Sequence, residues 1–162
     1  KDMQALEQDG YQVLWQSGKF YFKEMAENLR QTDLKHIHLR EFIREMDLAY
    51  AAADVIVSRA GALSVSELCL VGKPVIFIPS PNVAEDHQTK NAMALVENKA
   101  AILVKDNEVQ QQLLPQLQAL LNSPEALKNI SDALQKFKVD NASDLILEQV
   151  NALLNTYFGD FN

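Results

Sequence analysis

An almost wholly apolar run from Val75 to Ile78 lies near the middle of the chain, between GKP and PSP, and limits the folds that the chain can adopt. Branched and aromatic residues in a short run are typical of a β-strand. Because no polar residue alternates with the apolar ones, both faces of this strand must be covered. Such a strand belongs in a parallel sheet.

Strand and helix patterns alternate on both sides of this run, as far as residue 106. Strand patterns occur in YQVLWQ, HIHL, ADVIVS, KPVIFIP and AAILV, and helical spacing occurs in FYFKEMAENL, EFIREMDLAYAAA, SVSELCLVG and TKNAMALVEN. The alternation predicts an α/β fold, with an open, Rossmann-like parallel sheet of about five strands and helices on both faces.

Three further helical patterns follow and predict a helical C-terminal tail over residues 107–162. Ser123 and Pro124 predict the start of the second tail helix, by a capping side chain and a first-turn proline. Pro115 is expected to kink or shorten the first tail helix.

The whole chain, residues 1–162, is expected to form a single domain with an α/β part over 1–106 and the helical tail over 107–162. Its first residues, KDMQALEQ, read as the last turns of a helix that ends at Gly10 and has no start of its own. We therefore expect the sequence to be part of a longer protein.

Composition and charge narrow the class of protein. Of the 162 residues, 48% are hydrophobic and 23% are charged, which is typical of a globular chain. The net charge of -7 does not support a broad surface for nucleic acid or anionic lipid. No apolar run approaches the ~20 residues that span a bilayer, and the first residues are not a signal peptide, so we expect a cytoplasmic protein.

Cysteine and histidine give no indication of a disulfide or of a metal site. Cys69 is the only cysteine, and its apolar neighbours favour a small buried residue. His36 and His38 alternate along a predicted strand and so lie on opposite faces, and His87 has no second histidine at ligand spacing. We expect neither a metal nor another cofactor.

The stretch SRAGALSVSELCLVG, residues 58–72, is the richest candidate for a binding site. Ser58 ends a predicted strand, Gly61 and Ala62 allow close approach of backbone, and a helix is expected to begin near Leu63 or Ser64. In a doubly wound sheet, ligands collect where strands lead into helices, and the first amides of a helix attract anions. Neither G-x-G-x-x-G nor the P-loop pattern occurs here.

Two interpretations of Glu67 are open at this point. Ser64 and Glu67 match the capping box S-x-x-E, in which the carboxylate only satisfies backbone amides. Alternatively, Glu67 accepts hydrogen bonds from sugar hydroxyls beside the anion.

Three other loops at strand ends carry residues that could contact a ligand. PSPNVAEDHQTKNA, residues 79–92, concentrates polar groups that suit a polyhydroxylated ligand, although it could also be a solvated loop. Phe42 and Ile43 either cap the core or pack against a base. QSGK, residues 16–19, has a glycine and a lysine near a helix start and gives weak support for an anion.

Four segments in this order and spacing resemble a known family: WQSGK, EFIREMDLAYAAADVIVSRAGALSVSEL, GKPVIFIPSP and EDHQTKNAMAL. They are similar to the C-terminal half of the bacterial UDP-N-acetylglucosamine transferases of glycosyltransferase family 28, the MurG family. The similarity covers most of residues 12–106. It implies the donor-binding half of a GT-B fold. The full-length enzyme would be an inverting hexosyltransferase that moves N-acetylglucosamine from UDP to lipid I, forming lipid II for peptidoglycan.

The resemblance also implies roles for individual residues around the diphosphate and the ribose. Ala62, Leu63 and Ser64 look like the helix-start residues that face the diphosphate, together with the loop from Ser58 to Gly61. Glu67 looks like the carboxylate that accepts from the ribose hydroxyls.

Further matching positions concern the base and the sugar. Phe42, Ile43 and Met46 occupy the region that contacts uracil in the family. Gln88 matches a glutamine that contacts the N-acetylglucosamine hydroxyls, and His87 stands where some members have a second glutamine.

The resemblance implies parts that this sequence does not contain. These are the first strand of the domain with its glycine-serine loop, and an N-terminal domain that binds lipid I and the membrane. We therefore expect this chain to be inactive alone and to contact neither membrane nor nucleic acid, with a full-length parent that is peripheral on the cytoplasmic face of the inner membrane. Two alternatives stay open: a UDP-sugar-binding half of another GT-B transferase, and a non-enzymatic α/β module.

Overall fold

Helices and strands alternate along the chain in the computed structural model, which describes residues 2–81 and 86–159. The helices are α1 (Asp2–Gln8), α2 (Gly18–Arg30), α3 (Met46–Ala52), α4 (Ala62–Val71), α5 (His87–Val96), α6 (Val109–Leu121), α7 (Pro124–Leu134) and α8 (Ala142–Phe158). The strands are β1 (Val13–Gln16), β2 (Ile37–Arg40), β3 (Ile56–Ser58), β4 (Val75–Phe77) and β5 (Ile102–Leu103). The chain divides into two compact units, of which the first ends at Asp54 and the second begins at Val55.

The first unit is built on two parallel strands, whose register pairs Val13 with Ile37 and Gln16 with Arg40. A parallel pair needs a crossover connection, and α2 supplies it. Leu6 of α1 and Ile37 of β2 are buried. Burial of these apolar side chains stabilises the unit.

The second unit contains three parallel strands in the order β3-β4-β5, with β4 in the centre. Val75, Ile76 and Phe77 of β4 all have 0% of their surface exposed. This confirms the prediction that both faces of the apolar run are covered. Each of these side chains stabilises the fold by about 1.5 to 3 kcal/mol through burial.

The predicted α/β class is confirmed, but the five strands within the described residues form two parallel sheets, of two and three strands, where the sequence predicted one. Residue patterns indicate where strands lie, because burial on both faces leaves a local signature. The pairing of strands depends on contacts between segments that are far apart in the sequence. Such contacts leave no comparable pattern in neighbouring residues.

Two tail helices, α6 and α7, complete the core of the second unit. Leu120 of α6 packs with Ile76 and Val104, and the surrounding partly buried side chains are Val55, Ile78, Ile102, Val109, Leu113, Leu117, Ala126, Leu127 and Ile130. By contrast, α8 is exposed from Ala142 to Thr156. None of the helices within residues 2–81 and 86–159 combines the length and the apolar character needed to cross a membrane.

Some of the residues predicted to start, end or shorten a helix do so in the structure, and others do not. Ser123 accepts from the Ala126 amide at 3.2 Å and precedes Pro124, as predicted. Gly72 ends α4 in the left-handed region at φ 69°, which glycine adopts without steric cost. Pro115 lies inside α6 without shortening it. It removes one helical hydrogen bond on an exposed face, where water can satisfy the freed carbonyl.

The helix predicted over EFIREMDLAYAAA begins later than expected. In the structure, α3 starts at Met46 and not at Glu41. The Ile43 amide donates to the side-chain oxygen Oε1 of Gln16 at 2.7 Å. Residues 41–45 form a loop, and a local helical pattern cannot indicate a hydrogen bond to so distant a residue.

Glu7 joins α1 to the start of β2 through hydrogen bonds to two backbone amides. Its carboxylate accepts from the amides of Lys35 at 2.9 Å and of His36 at 2.8 Å. Burial alone raises the pKa of this carboxyl, but the two amide bonds and the nearby His36 and Lys35 charges outweigh burial and hold the pKa below its usual value.

We expect Glu7→Gln to destabilise the chain near neutral pH but not in acid. A carboxyl with a lowered folded-state pKa stabilises above its unfolded pKa of about 4.3, and this stabilisation is lost as pH falls through the folded-state value. Urea unfolding across a pH series measures the effect, with the exposed Glu27→Gln as control. An identical pH dependence in Glu7→Gln and in the unmodified chain would contradict this role.

Candidate functional site

The start of α4 presents three backbone amides that have no acceptor within their helix. Gly61 is the N-cap, with φ -62° and ψ 148°, and the first helical hydrogen bond runs from the Val65 amide to the Gly61 carbonyl at 2.9 Å. The amides of Ala62, Leu63 and Ser64 precede that bond. They lie at the positive end of the helix dipole, which suits a phosphate. The helix thus begins at Ala62, one residue earlier than the sequence suggested.

The capping-box interpretation of Ser64 and Glu67 is wrong. The N-cap is Gly61, so Ser64 is the third helical residue and Glu67 lies in the second turn. Glu67 is exposed, and its carboxylate has no hydrogen-bond partner in the described part of the chain. A capping box places the glutamate in the first turn, within reach of the N-cap amide. The carboxylate is therefore available to a ligand.

Two side chains hold the loop between β3 and α4. Arg59 donates from Nη1 to the carbonyls of Ile78 at 3.2 Å and Pro79 at 3.3 Å, and also to Asp106. Asn91 of α5 donates to the carbonyl of Ala60 at 3.2 Å, and Ala60 is fully buried. The sequence indicated Asn91 only as one of the polar groups of residues 79–92, and it gave no indication of Arg59, which forms no motif with its neighbours along the chain.

The loop after β4 meets the loop before α4 at the same edge of the sheet, since parallel strands end together. Gln88 accepts at Oε1 from the Ser80 amide at 2.9 Å, which leaves its NH₂ group as a donor. His87, the first residue of α5, is exposed. Asn82 and Glu85, which the sequence placed among the polar groups of this loop, lie outside the described residues.

The second unit therefore brings together eight of the predicted site residues at the carboxyl edge of its sheet: Ser58, Gly61, Ala62, Leu63, Ser64, Glu67, His87 and Gln88. Ser58 is the last residue of β3, and its hydroxyl donates to the Arg59 carbonyl at 3.0 Å.

The remaining three predicted residues lie in the first unit. Phe42 is 68% exposed, Ile43 is held by Gln16, and Met46 begins α3. Phe42 thus has an exposed ring for stacking, as a base-binding residue requires. The Gln16 contact was not predicted, because a glutamine at a strand end is common and specifies no partner.

The QSGK loop is ordered by its backbone in the same unit. The Ser17 amide donates to the Arg40 carbonyl at 3.0 Å, and Gly18 has φ 74°. Lys19 is exposed at the start of α2. The weakly supported prediction that this loop helps to bind an anion stays a prediction.

Metal ligands do not gather among the described residues. Residues 2–81 and 86–159 contain no group of three or more histidine, cysteine, aspartate or glutamate side chains that could hold an ion. Burial raises the pKa of the Cys69 thiol, as expected for a cysteine in the core. The groups at the start of α4 and α5 are backbone amides, the Glu67 carboxylate and the Gln88 carboxamide.

The sequence and the fold together define an α/β domain of the Rossmann-like class. The model of the glycosyltransferase family 28 C-terminal domain matches residues 1–146, and the chain belongs to this family.

Relatives with assigned names support the same family. The chain is 47% identical over 154 residues to the UDP-N-acetylglucosamine--N-acetylmuramyl-(pentapeptide) pyrophosphoryl-undecaprenol N-acetylglucosamine transferase of Christiangramia forsetii, covering 95% of this chain and 41% of that protein. It is 47% identical over 156 residues to the protein of the same name from Cytophaga hutchinsonii, covering 96% and 41%. This chain therefore spans about two fifths of the length of these relatives.

A solved structure shows the same architecture. The crystal structure of Acinetobacter baumannii MurG superposes with a TM-score of 0.75 at 27% identity, over 88% of this chain and 41% of that one. The Rossmann-like α/β class predicted from the sequence is thereby confirmed.

Proposed function

We propose that this chain binds UDP-N-acetylglucosamine and forms the donor side of a transferase that builds lipid II from lipid I. The observation that carries the proposal is the start of α4, where the amides of Ala62, Leu63 and Ser64 lie one turn before an exposed Glu67. Diphosphate requires donors, and a ribose diol requires an acceptor. This short segment offers both.

The uracil is proposed to contact the loop after β2. Phe42 offers an exposed ring for stacking, and Met46 offers an apolar side chain at the start of α3. Since the Ile43 amide already donates to Gln16, its carbonyl oxygen is the group that would accept the uracil N3–H. Gln16 would then orient the base-binding segment without touching the base.

The N-acetylglucosamine is proposed to contact the start of α5. Gln88 has its oxygen engaged by Ser80, so it would donate its NH₂ group to sugar hydroxyls. His87, one residue earlier, is exposed and would form a hydrogen bond with a second hydroxyl of the sugar.

The reaction proposed for the full-length protein is displacement at the anomeric carbon by the C4 hydroxyl of the lipid-linked sugar, with inversion. The start of α4 would stabilise UDP as leaving group, because amides fixed before the reaction interact more strongly as charge develops on the diphosphate. Acceptor binding and the base that removes the hydroxyl proton are assigned to the part of the relatives that this chain does not span. Since the donor is a cytosolic nucleotide and the acceptor is a lipid, the site of action would be the cytoplasmic face of the membrane.

Titration tests the donor proposal directly. We expect UDP-N-acetylglucosamine and UDP to shift amide resonances at the start of α4 and to raise the melting temperature, since a ligand that binds only the folded state stabilises it. UDP-glucose is the comparison for the sugar. Binding of UDP-glucose as tight as that of UDP-N-acetylglucosamine would instead support another UDP-sugar transferase, and no response to any of the three would support a non-enzymatic module.

Glu67→Ala separates ribose binding from a structural role. Because Glu67 is exposed and does not cap α4, we expect unchanged stability and about tenfold weaker UDP binding, as for loss of a hydrogen bond to a charged group. Calorimetry should show a smaller loss for 2′-deoxy-UDP, which lacks one hydroxyl. The control is Glu148→Ala on the exposed α8. Equal losses for the two nucleotides would argue against ribose recognition by Glu67.

A further inference from the structure

An ion pair at the carboxyl edge of the second sheet lies outside the set of predicted site residues. Asp106 opens the 3₁₀ turn Asp106–Glu108 that follows β5, and its Oδ1 accepts a hydrogen bond from Nη1 of Arg59. Arg59 directly follows β3 and precedes the fully buried Ala60 and the N-cap Gly61. The pair thus joins the segment after β5 to the loop that leads into α4.

The same Arg59 nitrogen holds a second loop. Nη1 also donates to the carbonyls of Ile78 and Pro79, where the chain leaves β4. One side chain therefore fixes the spacing between the loop before α4 and the loop that leads to α5. These are the two loops that carry the proposed diphosphate and sugar contacts.

We infer that Asp106 is a positioning residue for the diphosphate-binding end of α4 and acts through Arg59. This inference depends on the proposed donor site. The two carbonyls are neutral acceptors, whereas the carboxylate makes the stronger, charge-assisted bond and sets the direction of the planar guanidinium. Arg59 is 55% exposed, so without Asp106 its side chain can turn away from the carbonyls.

The exposure of this ion pair favours a role in ligand binding over a role in folding stability. Asp106 and Arg59 are both partly exposed, and exposed ion pairs contribute little to folding stability. Misplacing binding groups by a fraction of an ångström, in contrast, weakens the binding of ligands that need several donors together. Uridine lacks the diphosphate, so its binding should not depend on Asp106.

The experiment measures UDP and uridine affinities by NMR titration of the whole chain. We expect Asp106→Asn to weaken UDP binding about tenfold and to leave uridine binding and the melting temperature unchanged. Asp106→Glu should restore UDP binding to within about twofold, because the carboxylate returns. Arg59→Lys should match Asp106→Asn, and the double variant should lose no more than either alone, as for residues that act as one unit.

Asp132→Asn is the matched control, since it removes an exposed ion pair with Lys128 on α7, and we expect it to bind UDP normally. Unchanged UDP binding in Asp106→Asn, or equal losses for UDP and uridine, would overturn the inference. Tighter UDP binding would also overturn it, since Arg59 would then be a direct ligand that Asp106 restrains. If Asp106→Asn does not fold, the same comparison of UDP and uridine affinities in Arg59→Lys tests the inference. Failure of the unmodified chain to bind UDP would instead remove the proposed function itself.

Discussion

Replacing Ala62 by proline is expected to weaken UDP binding by about 10- to 100-fold, the range for losing a hydrogen bond to a charged group, while the fold stays intact. Ala62 is the first residue of α4, where proline is well tolerated because the missing amide has no helical acceptor. Gly61 already has ψ 148°, the extended conformation that a residue before proline prefers. The substitution therefore deletes one proposed diphosphate donor without altering the helix.

Calorimetric titration with UDP and thermal unfolding together test this result. Ala62→Ser is the matched control, because it keeps the amide and adds only a small exposed side chain, and we expect it to bind UDP as the unmodified chain does. An Ala62→Pro variant with unchanged melting temperature and unchanged UDP affinity would show that this amide does not contact the diphosphate. The proposed donor site would then have to lie elsewhere on the edge of the sheet.

Replacing Phe77 by alanine is expected to lower the free energy of unfolding by about 3 to 5 kcal/mol, as for large-to-small changes in a packed core. Phe77 is fully buried in the central strand, between Ser58 of β3 and Leu103 of β5 in the register. The cost combines lost burial with the cavity that the strand cannot close, because both neighbouring strands are fixed by hydrogen bonds. A loss of this size is a large fraction of the stability of an ordinary domain.

Urea unfolding measures the Phe77 effect, with Phe20→Ala as control. Phe20 is 87% exposed, so its truncation should change the free energy of unfolding by less than about 0.5 kcal/mol. If the two variants lost equal stability, β4 could not be the centre of the core. UDP binding should weaken with Phe77→Ala as well, since the Ile78 amide donates to the Ser58 carbonyl at 2.8 Å beside the site.

Much of the α/β part was predictable because its signals are local. The apolar run from Val75 to Ile78 predicted a strand covered on both faces, and the structure confirms this for Val75, Ile76 and Phe77, which are fully buried. Gly72, the last residue of the predicted helix SVSELCLVG, ends α4 because glycine adopts its left-handed backbone angles without strain. Ser123 predicted a helix start because its hydroxyl reaches an amide three residues later.

Several features of the structure were not predicted, because a local pattern was either absent or misleading. The helix expected from residue 41 begins at Met46, and the Ile43 amide in the preceding loop donates to the distant Gln16. The S-x-x-E match at Ser64 is accidental, because Gly61 is the N-cap and the helix begins before the motif. The tail helices α6 and α7 form part of the core, which their amphipathic patterns alone could not assign to a particular sheet.

The sequence by itself determined the class of fold, the order of its elements and the family. Each of these follows from neighbouring residues, through the apolar pattern of buried strands, the residues at helix ends and the segments typical of the family. Only the tertiary structure decided that Glu67 is exposed with no capping role, that Arg59 and Asn91 tie two loops together at one edge of the sheet, and that Ser80 holds Gln88 within one of these loops. These hydrogen bonds join residues 8 to 47 positions apart. Such contacts form only when the strands have packed, so no local pattern specifies them.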